Sequence, residues 1–187
     1  MLKRLLLTIL LLAAPALAQK PAAVAPARTP LARLSAMPAQ LGSYQRGNLT
    51  DFAMTARDPR LGAALGYRSP QGSVGTVYLY DAGRTDIASG GRALVDEQLQ
   101  SAIADVRQGG QQRGYSVAAE QAASVQGIRC VLFGLRHPQN APIETGLCVG
   151  TSGGLFLKLR LTVGPGAQGM LVEELTTFVR GAGAALD

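Results

Sequence analysis

The segment from Leu155 to Val163 alternates strictly between two kinds of side chain, and this constrains the fold more than any other feature of the sequence. Its odd-numbered positions are all aliphatic, whereas its even-numbered positions are Phe156, Lys158, Arg160 and Thr162. Successive side chains of a β-strand point to opposite faces, so the segment predicts a strand with one face in a hydrophobic core. The protein must therefore contain a sheet that is covered on at least one side.

Further strands and two helices are predicted around this segment. Runs of β-branched and aromatic residues between glycine-rich or polar turns indicate the other strands. Apolar residues at steps of three and four from Val95 to Val106 indicate a helix that ends at Gly109, and a second amphipathic helix is predicted over 168–182. The predicted strands are 43–46, 50–54, 63–68, 74–80, 116–121, 128–136, 144–150 and 155–163.

The order of these elements predicts an α+β domain. Because short turns connect most of the strands, we expect a largely antiparallel sheet covered by two amphipathic helices. We place this single domain at residues 43–187. The preceding segment, 19–42, contains four prolines among many alanines, a composition that favours an extended tether with little buried apolar area.

Residues 1–18 have the features of a secretory signal peptide. Lys3 and Arg4 precede a short apolar run, and Ala16-Leu17-Ala18 supplies the small residues of a cleavage site. The run is too short to cross a hydrocarbon core of about 30 Å. We therefore expect a periplasmic or secreted protein with no transmembrane anchor after signal cleavage.

The charge of the chain bears on the partners it can take. Its formal net charge is +6, and removal of residues 1–18 takes away two basic residues and no acid, which leaves about +4. Nucleic-acid binding uses a clustered basic stripe with aromatic platforms, and the sequence has no such stripe. We expect no nucleic-acid partner; an envelope protein or another acidic surface is compatible with the remaining charge.

Cys130 and Cys148 are the two cysteines of the sequence, and they fall in neighbouring predicted strands. Their midpoint is Gln139, inside the loop that joins those strands. In an antiparallel hairpin centred there, the two residues stand opposite each other with Cα atoms about 4.5 to 5.5 Å apart, within reach of a disulfide. Because an exported protein meets an oxidising environment, we predict a Cys130–Cys148 disulfide.

Two glycine-rich motifs have both a catalytic and a structural interpretation. The segment 150–154 fits G-x-S-x-G, so Ser152 with the single histidine, His137, defines an alternative function as a small envelope serine hydrolase. Such a serine is normally followed by a helix, whereas a strand is predicted from Leu155, and this favours a hairpin turn. The segment 164–169 fits G-x-G-x-x-G at a strand-to-helix turn, but dinucleotides are not expected outside the cytoplasm.

We expect no cofactor, no metal and no catalytic set in this protein. A metal site needs several histidine, cysteine or carboxylate ligands at suitable spacing. One histidine and two cysteines that are predicted to be oxidised do not supply them. The chemistry of the chain therefore favours recognition over reaction.

The series of signal peptide, strand meander, amphipathic helix, further strands and closing helix resembles the PsbP and Mog1-like α+β sandwich. It resembles more closely a set of uncharacterised exported bacterial proteins. The likeness covers residues 43–187 and is carried by the segments 74–81 (VGTVYLYD) and 156–162 (FLKLRLT). It implies a non-catalytic binding or assembly module, and it transfers no functional residue.

The candidate binding surface consists of two pairs of side chains. Tyr78 and Tyr80 share one face of their strand, and Lys158 and Arg160 share one face of theirs. If either face is uncovered, it offers a site for an acidic or aromatic-rich partner. The alternative is that the tyrosines are partly buried beneath a helix and that solvent surrounds the cations.

Overall fold

The computed structural model describes residues 29–186 and contains one eight-stranded sheet. The predicted signal peptide and residues 19–28 of the predicted tether lie outside the described residues. The strands are β1 (Gln40–Leu41), β2 (Tyr44–Asp51), β3 (Ala63–Arg68), β4 (Val74–Tyr80), β5 (Ser116–Val125), β6 (Ile128–Arg136), β7 (Ile143–Ser152) and β8 (Leu155–Thr162). The helices are α1 (Pro30–Ser35), α2 (Phe52–Thr55), α3 (Gly91–Gln111) and α4 (Leu171–Leu186).

Every pair of neighbouring strands in this sheet is antiparallel, in the order β1-β2-β3-β4-β8-β7-β6-β5. Two meanders of four strands therefore meet where β4 pairs with β8. In that pairing Val77 lies opposite Leu159 and Tyr78 lies opposite Lys158. The predicted α+β class and its largely antiparallel sheet are confirmed.

Helices pack on both faces of the sheet. On one face, Ile103 and Val106 of α3 belong to a core cluster with Phe133 and Leu147 of the sheet. On the other face, α1 and α4 form the larger cluster with the sheet; its members include Leu34, Leu175, Phe178, Leu65 and Leu159. Phe178 also stacks against Tyr44 and Tyr67, with ring centroids 5.2 and 6.2 Å apart. The sheet thus forms the middle of three layers.

The tether predicted for residues 19–42 is wrong over its described part. Residues Pro30–Ser35 form helix α1, and Leu34, Met37 and Leu41 are each at most 3 % exposed. Proline begins this helix instead of blocking it, because the first helical position lacks an intrahelical partner for its N–H in any case. Thr29 caps the helix by accepting a hydrogen bond from the Ala32 N–H. The packed domain therefore includes residues before 43.

The two strands predicted at 43–46 and 50–54 are one strand and a helical turn. Strand β2 covers most of the first predicted strand and residues 50–51 of the second, with an irregularity in its pairing between Arg46 and Leu49. Asp51 then ends the strand and caps α2, since its side chain accepts a hydrogen bond from the Ala53 N–H at 2.9 Å. This turn carries the chain toward the α3 face of the sheet.

The predicted disulfide and its hairpin register are both confirmed. Cys130 of β6 is the direct partner of Cys148 of β7, and their sulfur atoms are bonded. The pairing of Leu135 with Ile143 shows that the hairpin is centred on Gln139, as predicted. Both cysteines are buried in the larger core cluster, so the bond links two central strands inside the core.

Replacing both cysteines with alanine is expected to lower the free energy of unfolding by about 3 kcal/mol, because the bond closes a loop of this size in the unfolded chain. Each single replacement should cost nearly as much, since either one removes the same bond. Denaturant unfolding of the three variants measures these differences. Alkylation of two thiols per chain in non-reducing denaturant would contradict the bond.

Leu34→Ala is expected to destabilise the protein by about 2 to 5 kcal/mol, because this side chain is fully buried between α1 and the sheet. Ser35→Ala is the matched control in the same helix; Ser35 is exposed, and its change should fall within about 0.5 kcal/mol. Thermal or denaturant unfolding compares the two. Equal stability of both variants would show that residues 30–42 behave as a tether after all.

Candidate functional site

A groove of about 390 Å³ lies on the α3 face of the sheet, above the junction of β4 with β8. The sheet contributes Tyr78, Tyr80 and Lys158, while α3 contributes Gln98, Ser101 and Asp105. Across from α3, the segment 52–61 adds Phe52, Asp58, Arg60 and Leu61. We call this feature the Lys158 groove. It brings three of the four predicted surface residues together in one site.

The pairing of β4 with β8 explains this convergence. Tyr78 lies directly opposite Lys158, and Tyr80 lies opposite Phe156. Because side chains two residues apart share a face, both tyrosines and Lys158 point to the same side of the sheet. The sequence pattern placed each pair on a strand face, but it did not show that the two strands are neighbours.

The ammonium of Lys158 is held by aromatic rings. Its Nζ atom lies 4.6 Å from the centroid of the Tyr78 ring and 5.7 Å from that of Tyr80, both within the range of a cation–π interaction. Within residues 29–186, no carboxylate forms an ion pair with Lys158. Burial lowers the pKa of the Lys158 ammonium, an effect that Asp105 opposes and Arg160 reinforces.

Tyr80 forms a neutral wall of the groove. Its ring packs against Phe156 with centroids 5.5 Å apart, and its hydroxyl donates a hydrogen bond of 3.3 Å to Oε1 of Gln98. Burial, with a smaller contribution from the negative charge of Asp105, raises the pKa of Tyr80 to about 12. The phenol therefore remains protonated at physiological pH and supplies no charge to the site.

The arginine at the rim of the groove is compensated by its own neighbour. Arg60 donates from Nε to Oδ1 of Asp58 and from a terminal nitrogen to Oδ2, both at 2.9 Å. This bidentate geometry satisfies the Asp58 carboxylate and neutralises the guanidinium. Of the two cations that line the groove, Lys158 is therefore the one without a carboxylate partner.

Arg160, the fourth predicted surface residue, lies outside the groove. It borders a separate cavity of about 90 Å³ beside Val106, Arg113 and Tyr115, near the end of α3. Its Nε atom is buried without a hydrogen-bond partner in the described part of the chain. Arg160 follows Lys158 by two residues in β8. The two side chains therefore lie on the same face of the sheet, but they border different cavities.

Ser152, the candidate nucleophile, is occupied by structural contacts. Arg33 of α1 donates to the Ser152 carbonyl oxygen and to its Oγ, both at 2.7 Å, and also to the Leu186 carbonyl oxygen at 2.8 Å. The Ser152 hydroxyl in turn donates to the Leu186 carbonyl at 3.2 Å. We call this set of contacts the Arg33 clamp. It joins α1, the end of β7 and the end of α4.

The structure does not bring Ser152 and His137 together. His137 follows the end of β6 that pairs with Ile143, whereas Ser152 ends β7 nine residues beyond Ile143. Nine residues of an antiparallel strand span about 30 Å, so this length separates the two ends of β7. His137 accepts a hydrogen bond at Nδ1 from the Gln139 N–H and stacks against Tyr115. The serine therefore has no histidine to act as its general base.

The two glycine motifs are turns, as their structural interpretation predicted. Gly153 and Gly154 connect β7 to β8 with positive φ angles of 55° and 78°, and Ser152 pairs with Leu155 across the hairpin. Gly164 follows β8 and packs against the backbone near Gly72, where an added Cβ would lie 2.3 Å from the nearest atom. Close packing of two loops thus explains the Gly164 position.

The residues that α3 and the segment 52–61 add to the groove are not predicted by any pattern in the sequence. Asp105 and Gln98 lie at the border of the apolar stripe of α3, where polar residues are ordinarily solvated. No local signal identified them, because their proximity to Lys158 depends on where α3 crosses the sheet. Phe52 lies in a segment for which a strand, and not a helical turn, is predicted, and Leu61 lies between two predicted strands.

The described residues contain neither a metal-binding group nor a membrane-spanning helix. Residues 29–186 contain no group of three or more histidine, cysteine or carboxylate side chains able to hold a metal ion. In the same part of the chain, no helix is long and apolar enough to cross a membrane. The chain matches no protein-family model and no curated protein sequence.

Lys158→Met is expected to leave the melting temperature unchanged or to raise it. Burial lowers the pKa of the Lys158 ammonium, so folding disfavours its charged form, and removal of the charge relieves the fold of this cost. Methionine keeps the length and apolar contacts of the stem without the charge. Thermal unfolding at pH 7 tests this, with Arg180→Met on the opposite face as the charge-matched control. A clear destabilisation by Lys158→Met alone would contradict it.

Proposed function

We propose that this protein is an exported, non-catalytic binding module and that the Lys158 groove is its recognition site. The partner is an envelope molecule or surface that presents a carboxylate beside an apolar group. One observation carries the proposal: a half-buried lysine lies on two tyrosine rings without a carboxylate partner in the described chain. The sequence features of export and the disulfide support the compartment, since disulfides persist in oxidising environments.

The electrostatics of Lys158 favour an anionic partner. Burial has removed part of the hydration of the ammonium, as the lowered pKa indicates, and the tyrosine rings replace it only in part. A carboxylate bound in the groove would form a charge-assisted hydrogen bond with this cation. A group that weakens the fold but strengthens binding is typical of a recognition site.

The walls of the groove favour an apolar group next to that carboxylate. Phe52, Leu61, Tyr78 and Tyr80 supply aromatic and aliphatic surface around the charge. Small-molecule sites commonly have this composition: mostly apolar walls with a few polar groups that fix orientation. An anion without an apolar body, such as inorganic phosphate, would leave these walls unused.

The alternative function, a serine hydrolase, gains no support from the geometry. Ser152 is held by the Arg33 clamp, and His137 lies about 30 Å away along the β6–β7 hairpin. We also propose the relationship to PsbP and Mog1-like sandwiches, for which the layering of helices on both faces of the sheet is the supporting observation. Such a relationship agrees with binding or assembly rather than catalysis.

The proposed function predicts that 3-phenylpropanoate, a carboxylate on an aromatic body, binds the mature protein saturably and that 3-phenylpropanamide binds at least tenfold more weakly. A single small ligand should have a Kd on the order of 1 mM. Chemical-shift titration measures both affinities. Lys158→Met should weaken the carboxylate at least tenfold, whereas Arg180→Met should not change it.

A second measurement locates the bound carboxylate. Lys158 is the one lysine of the sequence beyond Lys20, so an amine-reactive reagent reports on this groove directly. The ligand should slow modification of Lys158 and leave Lys20 unaffected. Equal affinity for acid and amide, or binding that survives Lys158→Met, would overturn the proposed site.

A further inference from the structure

We infer that the Lys158 groove recognises a zwitterion: a small molecule that carries a carboxylate, an ammonium group and a flat apolar body. Aromatic α-amino acids are the simplest members of this class. The inference rests on the proposed function, because it concerns the same groove. It adds a second charge on the ligand and assigns a protein residue, Asp105, to recognise it.

The groove contains two opposite charges on facing elements. Lys158 projects from β8 and Asp105 from α3, and both line the same space. Among the described residues, Asp105 forms neither an ion pair nor a side-chain hydrogen bond with any group, Lys158 included. The other acidic residue of the groove, Asp58, is already satisfied by Arg60. One cation and one anion therefore remain available to a ligand.

Asp105 is close enough to act on the rest of the site. Its negative charge raises the pKa of Tyr80 and partly offsets the fall in the pKa of Lys158. Both groups line the groove, yet they do not form an ion pair with each other. A ligand that carries both a carboxylate and an ammonium group would place the carboxylate at Lys158 and the ammonium group at Asp105.

The remaining groups suit the neutral parts of such a ligand. Tyr78, Tyr80 and Phe52 supply aromatic surface to the lining of the groove, and aromatic groups pack favourably in offset or tilted arrangements. Gln98 and Ser101 supply uncharged hydrogen-bonding groups from α3. A volume of about 390 Å³ lies at the lower end of the range of small-molecule sites, so the size of the groove suits one small ligand.

Opposite charges in one groove also discriminate against ligands with a single charge. An aromatic carboxylate without an ammonium group is repelled by the negative charge of Asp105. An aromatic amine without a carboxylate is repelled by the positive charge of Lys158. Specificity is a difference in affinity, and repulsion of the incomplete ligand contributes as much as attraction of the complete one. We therefore expect the zwitterion to bind more tightly than either half.

The test compares L-phenylalanine, 3-phenylpropanoate and 2-phenylethylamine as ligands of the folded mature protein. Phenylalanine should bind about three- to fivefold more tightly than 3-phenylpropanoate, a modest factor because Asp105 is exposed, and 2-phenylethylamine should bind most weakly. Chemical-shift titration with all three ligands gives the ratios. Circular dichroism verifies that each variant is folded.

Asp105→Asn isolates the second charge. This variant should lose the preference for phenylalanine over 3-phenylpropanoate, and it should bind 3-phenylpropanoate as well as the wild type or better. Glu97→Gln, an exposed change on the same helix away from the groove, should keep the preference. Lys158→Met should weaken phenylalanine and 3-phenylpropanoate alike.

The outcomes separate this inference from the function on which it rests. If 3-phenylpropanoate binds through Lys158 but phenylalanine binds no better, or if Asp105→Asn leaves the preference intact, the zwitterion is wrong and the carboxylate site stands. If 2-phenylethylamine binds most tightly, both are overturned. If none of the three binds, the inference fails, and so does the proposed groove.

Discussion

The pairing of β4 with β8 is the interaction on which the rest of the sheet depends. Within each four-strand meander, every strand pairs with its neighbour in sequence, so those contacts form locally. Among the strand pairings of residues 29–186, the β4–β8 ladder alone joins the two meanders, which are separated in sequence by α3 and three further strands. It runs over seven residue pairs, from Val74 with Thr162 to Tyr80 with Phe156. Without it, neither the common core under α1 and α4 nor the groove under α3 would exist.

The candidate site lies on the junction of β4 with β8, and this position keeps its side chains in a fixed arrangement. Tyr78 comes from one meander and Lys158 from the other, so the cation–π contact is also a contact between the halves of the sheet. The strands beneath them are held by a buried ladder, which keeps the two side chains in fixed relation without a rigid loop. The helix α3, which connects the meanders, then adds Gln98 and Asp105 from above.

The sequence was informative wherever local periodicity determined structure. The alternation of β8, the stripe of α3 and the symmetry of Cys130 and Cys148 about Gln139 all predicted elements that the structure contains. The prediction was wrong at α1, because the proline content indicated a tether although the apolar residues are spaced for one buried face. It was also wrong at α2, because a capping aspartate ends the strand there. Asp105 was not identified because long-range packing, and no local pattern, places it beside Lys158.

The Arg33 clamp joins segments that are far apart in the sequence. Arg33 and Leu186 are 153 positions apart, yet the arginine donates to the Leu186 carbonyl at the end of α4, and α4 supplies Phe178 to cover Tyr44 and Tyr67. A polypeptide made from its amino end presents the apolar face of its first meander long before that cover exists. The strands of the first meander are therefore made before the helix that covers them. Until residues 171–186 have been made, Tyr44 and Tyr67 lack the cover that Phe178 gives them in the folded protein.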